Sequence, residues 1–234
     1  MNKKLLSLIC LIFFNVNLFA GDFELGQKAL DENDYTKANE LFDKSCKGKN
    51  FNGCTALGES YAIGLGFEKD FVKANELFNK SCKNGSAQGC LNFGFSYQNG
   101  YGVDRNNVKA VEYYKKSCDY KFADGCFNLG YMYEKINEIP NNTKAVEFYK
   151  KGCEFGNSGA CLNLAIMYDK GFDGKNNSEK AGIFYGKGCD LGHAKSCYNL
   201  GTMHFRGEIP NASREKGNIL FEKACKLGFN MVCK

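Results

Sequence analysis

Apolar and polar positions along the chain repeat in a fixed order at a step of 35 or 36 residues. Five segments, CTALGESYAIG, CLNFGFSYQNG, CFNLGYMYEKI, CLNLAIMYDKG and CYNLGTMHFRG, place apolar residues at helical spacing and predict a first helix in each repeat. In each, a large apolar residue (Leu57, Phe93, Leu129, Leu164, Leu200) precedes a small one (Gly58, Gly94, Gly130, Ala165, Gly201). Three positions later stands an aromatic (Tyr61, Tyr97, Tyr133, Tyr168) or His204. Glycine within a helix costs about 1 kcal/mol relative to alanine, so its recurrence predicts a close helix crossing, with the following ring filling the gap.

A loop follows, often with paired glycines (Gly64/Gly66, Gly100/Gly102, Gly171/Gly174), although KINEIPNN replaces them in one repeat and absorbs a one-residue deletion. A second helix then starts at Asp34, Asp70, Asn106, Asn141, Asn177 or Ser213, all preferred N-caps. Four residues on comes Ala38, Ala74, Ala110, Ala145, Ala181 or Gly217, and after four more an aromatic on the same face, Phe42, Phe78, Tyr114, Tyr149, Tyr185 or Phe221. Gly85, Gly156, Gly192 and Gly228 mark the ends of these helices; Lys49 and Lys121 stand at the equivalent places and predict two turns of different construction. Residues 23–46 form a shorter pair with a tighter turn. The organisation expected is therefore all-α: a solenoid over 21–234, with a tetratricopeptide-like capping pair at 21–53 and five repeats beginning near 54, 90, 126, 161 and 197.

The N-terminus is of another kind. Residues 1–20, MNKKLLSLICLIFFNVNLFA, combine two lysines, an apolar run from Leu5 to Phe14 and a small residue at Ala20, the pattern of a secretory signal. Its removal takes Cys10 away and leaves twelve cysteines for an oxidising compartment, so a secreted or periplasmic protein with six disulfides is expected and no membrane association after cleavage. The pairs eight residues apart are Cys46/Cys54, Cys82/Cys90, Cys118/Cys126, Cys153/Cys161, Cys189/Cys197 and Cys225/Cys233. Residues eight apart on one straight helix lie about 12 Å apart, too far to bridge, so a turn must fold between them. Pairing across 28 residues, as Cys54 with Cys82, would strand Cys46 and Cys233, whereas pairing across eight leaves no thiol over.

Composition excludes more than it assigns. With Lys3 and Lys4 gone, 29 basic residues face 26 acidic ones, a charge of +3 without a basic run, which offers nothing to nucleic acid. The chain has two histidines and no Cys-x-x-Cys pair, so no metal and no cofactor is expected, and a monomer. Ser213-Arg214-Glu215-Lys216 fits a Ser-x-x-Lys motif, yet Ser213 fills the N-cap slot and Lys216 continues the series Lys37, Lys73, Lys109, Lys144, Lys180. His204 takes the place of a core tyrosine. The candidate binding residues are Asn92, Asn128, Asn163 and Asn199, two positions after the second cysteine of a pair, with Ala56 as the exception. On the concave side of a solenoid these amides would form a row able to bind an extended peptide, a peptide-like β-lactam or a partner protein; alternatively each satisfies groups of the neighbouring repeat.

The cysteine, the apolar-glycine step, the aromatic, the glycine loop, the Lys-Ala pair and the 36-residue step together resemble the Sel-one-like repeat, a relative of the tetratricopeptide repeat. With the cysteine pairs and the signal, residues 23–233 resemble the Helicobacter cysteine-rich protein family. The resemblance implies a right-handed superhelix of antiparallel helix pairs, export, and penicillin binding with slow β-lactamase activity. No residue here is assigned to that chemistry; the alternative is a non-catalytic scaffold that binds peptides or proteins in its groove.

Overall fold

A computed structural model of the chain describes residues 21–136, 141–172 and 177–233. The expected signal at 1–20, Gly174 and residues 137–140 of the KINEIPNN loop lie outside the described residues. Residues 21–31 are helical (α1), followed by α2 (Tyr35–Lys47), α3 (Phe51–Ile63), α4 (Phe71–Lys83), α5 (Ala87–Asn99) and α6 (Asn107–Asp119). Then come α7 (Ala123–Lys135), α8 (Asn142–Glu154), α9 (Ser158–Asp169), α10 (Ser178–Asp190), α11 (Ala194–Arg206), α12 (Arg214–Lys226) and a short 3-10 turn, Asn230–Val232. No strand occurs among the described residues. The chain divides into two compact units between Tyr120 and Lys121, α1–α6 and α7–α12. In each, antiparallel helices stack in succession, α2 to α6 in the first unit and α7 to α12 in the second, each packing on the next within its unit.

Local chemistry starts and stops the helices. Asp34, Asp70, Asn106, Asn141, Asn177 and Ser213 each accept a hydrogen bond from the backbone N–H three residues on, at 2.9–3.2 Å. The even-numbered helices end in a left-handed residue, Gly85, Gly156, Gly192 or Gly228, and Lys49 and Lys121 adopt the same conformation with φ of 68° and 60°. At Lys49 the bonds are those of the glycine turns: its N–H reaches the Cys46 carbonyl as that of Gly85 reaches Cys82, and Asn50 reaches Ser45 as Ser86 reaches Ser81. The different construction expected at Lys49 and Lys121 is therefore corrected. The register of the next helix demands this turn, and lysine bears the strain.

The recurring glycines do mark close crossings. A Cβ on Gly58, Gly94, Gly130 or Gly201 would lie 2.6–2.9 Å from the ring of Phe78, Tyr114, Tyr149 or Phe221. The ring over each glycine thus comes from the even-numbered helix, and not from the tyrosine three positions on. Those tyrosines are half-buried elsewhere: Tyr61, Tyr97, Tyr133 and Tyr168 stack on Phe67, Tyr113, Phe148 and Phe184 at 4.3–5.7 Å. Lys73, Lys109, Lys144 and Lys180 lie over their faces at 5.0–5.3 Å, which gives the repeated lysine a cation–π role.

Disulfides Cys46–Cys54, Cys82–Cys90, Cys153–Cys161 and Cys189–Cys197 join an even-numbered helix to the next odd-numbered one with Cα atoms 4.5–4.7 Å apart. Cys118 and Cys126 are disulfide-bonded as well. The residues preceding the cysteines show how tight the joint is. Gly53 faces Ser45, Gly152 faces Ala160 and Gly188 faces Ser196, where an added Cβ would meet the partner side chain at 2.6–2.9 Å. Each of these crossings has room for one small side chain, supplied from either helix. The last bridge, Cys225–Cys233, differs: Cys233 is exposed at the 3-10 turn and borders a cleft of about 450 Å³, while the other bridges are buried.

Two outcomes follow from these turns and joints. Lys49→Gly relieves the left-handed strain and should raise the unfolding free energy by about 0.5–1 kcal/mol after the unfolded-state entropy of glycine is counted, measured by urea titration with disulfides intact. Under a mild dithiol with quenched alkylation and mass mapping, Cys225 and Cys233 should be labelled before any other pair; first labelling at Cys153 or Cys161 would refute this.

Candidate ligand-binding face

Asn92, Asn128, Asn163 and Asn199 occupy one register on α5, α7, α9 and α11, and all four are half-buried. Three turn toward side chains of the preceding hairpin. Asn92 donates Nδ2–H to Glu59 Oε1 at 2.8 Å and accepts from Gln88 Nε2 at 3.0 Å. Asn163 hydrogen-bonds Tyr149, and Asn199 hydrogen-bonds Tyr185. Asn128 is placed on α7. Asn92, Asn163 and Asn199 thus connect successive repeats through side chains.

These contacts belong to a polar seam that sequence reading missed. The Tyr149 hydroxyl donates to Glu134 Oε2 at 2.7 Å and the Tyr114 hydroxyl to Gln98 Oε1 at 2.5 Å, while Tyr185 lies in the field of Asp169. The phenols are buried, so hydroxyls there need partners. Burial, reinforced at Tyr149 by Glu134, pushes the phenols of Tyr114 and Tyr149 far above their usual range, and Tyr185 is pushed up to about 12 by burial and the Asp169 charge. The signal was present in the sequence as a covariation between repeats. Where the even-numbered helix has tyrosine, the facing position is Gln98, Glu134 or Asp169; where it has Phe78 or Phe221, that position is Ala62 or Phe205.

Phe78 therefore changes the chemistry of the first compact unit. There Glu59 and Asn92 bond directly, and beside them opens a cleft of about 200 Å³ lined in part by Phe78. Ile63 of α3, 67% exposed, and Phe95 of α5, 48% exposed, form its open walls with Tyr101. Tyr101 is held from two sides: its ring stacks on Phe71 at 4.8 Å, and its carbonyl accepts from Asn75 Nδ2 at 2.6 Å. Partial burial raises the Glu59 carboxyl above the ordinary glutamate range, against the lowering effect of Asn92 and Gln88.

The Ser-x-x-Lys pair is engaged in structure. Ser213 Oγ accepts from the Lys216 backbone N–H at 3.2 Å, and Lys216 Nζ donates to the Asn211 carbonyl at 3.3 Å, so the ammonium is committed away from the serine it would have to activate. His204 is half-buried, and burial followed by the nearby Lys216 charge lowers its pKa, which keeps it neutral at pH 7. Among the described residues no group of three or more His, Cys, Asp or Glu could hold a metal ion.

The polar seam carries a measurable coupling. Tyr149→Phe and Asn163→Ala each should cost about 1 kcal/mol, and the double variant should cost less than their sum by about 0.5 kcal/mol or more. Additive losses in urea unfolding would show that the two side chains do not share a bond.

Comparison with known proteins agrees with this architecture. The Sel1 repeat model matches residues 23–50, 52–86, 87–119, 123–157, 158–193 and 194–229. No curated protein matches the chain significantly. Among solved structures, a Sel1 repeat protein from Oxalobacter formigenes is 25% identical with a TM-score of 0.75, over 90% of this chain and 84% of that one. A protective antigen of uropathogenic Escherichia coli with an SLR fold is 23% identical with a TM-score of 0.74, over 92% of this chain; the chain spans 47% of that antigen. Helicobacter pylori cysteine rich protein B is 29% identical with a TM-score of 0.46, over 55% of this chain and 93% of that one. With six matched repeats reaching from residue 23 to residue 229, the chain belongs to the Sel1 repeat family.

Proposed function

We propose that the protein is an exported, non-catalytic scaffold that binds an extended peptide or a peptide segment of a partner protein on the face formed by α3 and α5. The cleft beside Asn92 carries this reading. Its apolar walls Ile63, Phe95 and Tyr101 are open to solvent although apolar neighbours surround them, and its floor is fixed by Phe71, Phe78 and the Asn75 bond to the loop. A volume of about 200 Å³ falls below the roughly 300–1,000 Å³ of small-molecule pockets and suits one large side chain of a longer ligand. Export is supported by the signal-like N-terminal sequence and by disulfides that persist only in an oxidising compartment. No helix among the described residues is long and apolar enough to cross a membrane.

The β-lactamase activity implied by family resemblance has no support in the arrangement of side chains, because the Ser-x-x-Lys pair serves as a helix cap. Two measurements test the proposal. In fluorescence anisotropy with a pool of capped, randomised heptapeptides, Phe95→Ala should weaken binding by about fivefold or more while thermal unfolding stays nearly unchanged; a pool that binds neither form, or binds both equally, would overturn the reading. Oxidised protein should hydrolyse a chromogenic β-lactam no faster than its final purification buffer, and a rate that copurifies with the protein and vanishes on unfolding would restore the enzymatic alternative.

A further inference from the structure

The residue following the small position of the first helix is Phe95, Tyr131, Ile166 or Thr202 in the later repeats, but Glu59 in α3. Glu59 lies where two hollows of the first compact unit adjoin. One is the apolar cleft of Ile63, Phe95 and Tyr101; the other, about 380 Å³, is lined mostly by neutral polar side chains, among them Gln27, Asn52, Thr55 and Gln88. Glu59 is the one charged residue in either lining, and its hydrogen-bond partners Asn92 and Gln88 are neutral amides. The exposed carboxylate is bonded to neutral amides only, so a positively charged group brought there would meet an uncompensated charge beside an apolar cleft.

We propose that this pair of hollows recognises an extended peptide carrying a lysine or arginine two residues from a bulky apolar residue, with the cation on Glu59 and the apolar side chain between Ile63, Phe95 and Tyr101. Spacing supports the match. Glu59 and Ile63 are one helical turn apart, about 6 Å, and side chains on the same edge of an extended peptide recur at about 7 Å. Charge supports it too, since Glu59 is the one charged residue in the two linings and Lys69, at 4.6 Å over the Phe71 ring, is engaged by that ring. This inference rests on the peptide-binding reading above and adds to it the identity of two side chains.

The test uses the oxidised full chain and three capped heptapeptides: Gly-Gly-Phe-Gly-Lys-Gly-Gly, the same peptide with norleucine for lysine, and the same with glycine for phenylalanine. Wild type should prefer lysine to norleucine by about tenfold, with the preference shrinking as salt rises. Glu59→Gln should bring that ratio near one without weakening the norleucine peptide, because the amide fills the same space. Loss of the phenylalanine ring and Phe95→Ala should each weaken binding by about tenfold. Equal binding of the lysine and norleucine peptides by wild type, or a preference that survives Glu59→Gln, overturns the inference. If Phe95→Ala still weakens both peptides in that case, the peptide-binding reading stands alone; if no peptide binds, both fall. Self-association of the chain that Phe95→Ala abolishes would assign the face to a second copy and overturn the proposal.

Discussion

The constraint on which the rest depends is the joint between successive hairpins, where a disulfide holds two helix backbones with Cα atoms 4.5–4.7 Å apart. Backbones this close leave no room for two facing side chains, so the contact beside each bridge is lined by small residues. The exchange of side chain between Gly53 and Ser45, Gly152 and Ala160, and Gly188 and Ser196 is the record of that restriction. The left-handed turn three residues after the first cysteine is its other half, since it returns the chain within bridging distance. Lysine at Lys49 and Lys121 shows that the turn takes precedence over local preference.

With the joint set, each hairpin closes on itself by a second device. The glycine or alanine of the first helix admits a ring from the second, and that ring fills the centre of the repeat. The tyrosines that flank it remain half-buried and stack in pairs, with lysines over their outer faces. Lysine thereby covers aromatic surface with its stem while the ammonium stays wet. The core of each compact unit is built from such local layers, and each layer's chemistry can vary without disturbing the next. The sites where it varies are the informative ones: hydroxyls with acceptors at Tyr114 and Tyr149, a hydroxyl in the field of Asp169 at Tyr185, and no hydroxyl at Phe78, where Glu59 and Asn92 meet beside an open cleft.

The asparagine series illustrates how far periodicity alone can be trusted as a functional signal. A residue recurring in register is expected whenever a repeated joint needs it, and Asn92, Asn163 and Asn199 are bonded to the hairpin before them. The candidate site emerged instead from departures within the series. Glu59 and Ile63 occupy positions where the other repeats carry different chemistry, and together with the exposed Phe95 they give the first compact unit a surface that the periodic positions do not explain.

The sequence by itself determined the helices, their caps, the repeat and the glycine crossings, because each rests on contacts within one or two turns or on a strict period. Asp34 through Ser213 announce six helix starts in one residue type after another, and the structure uses all six. The covariation of Tyr149 with Glu134 was also legible in principle, since both positions recur at constant spacing. Tertiary structure alone decided which ring covers each glycine, which side chains Asn92, Asn163 and Asn199 bond, and where apolar walls stay uncovered. Those outcomes depend on how side chains from separate helices share one volume, and one-dimensional spacing carries no record of that competition.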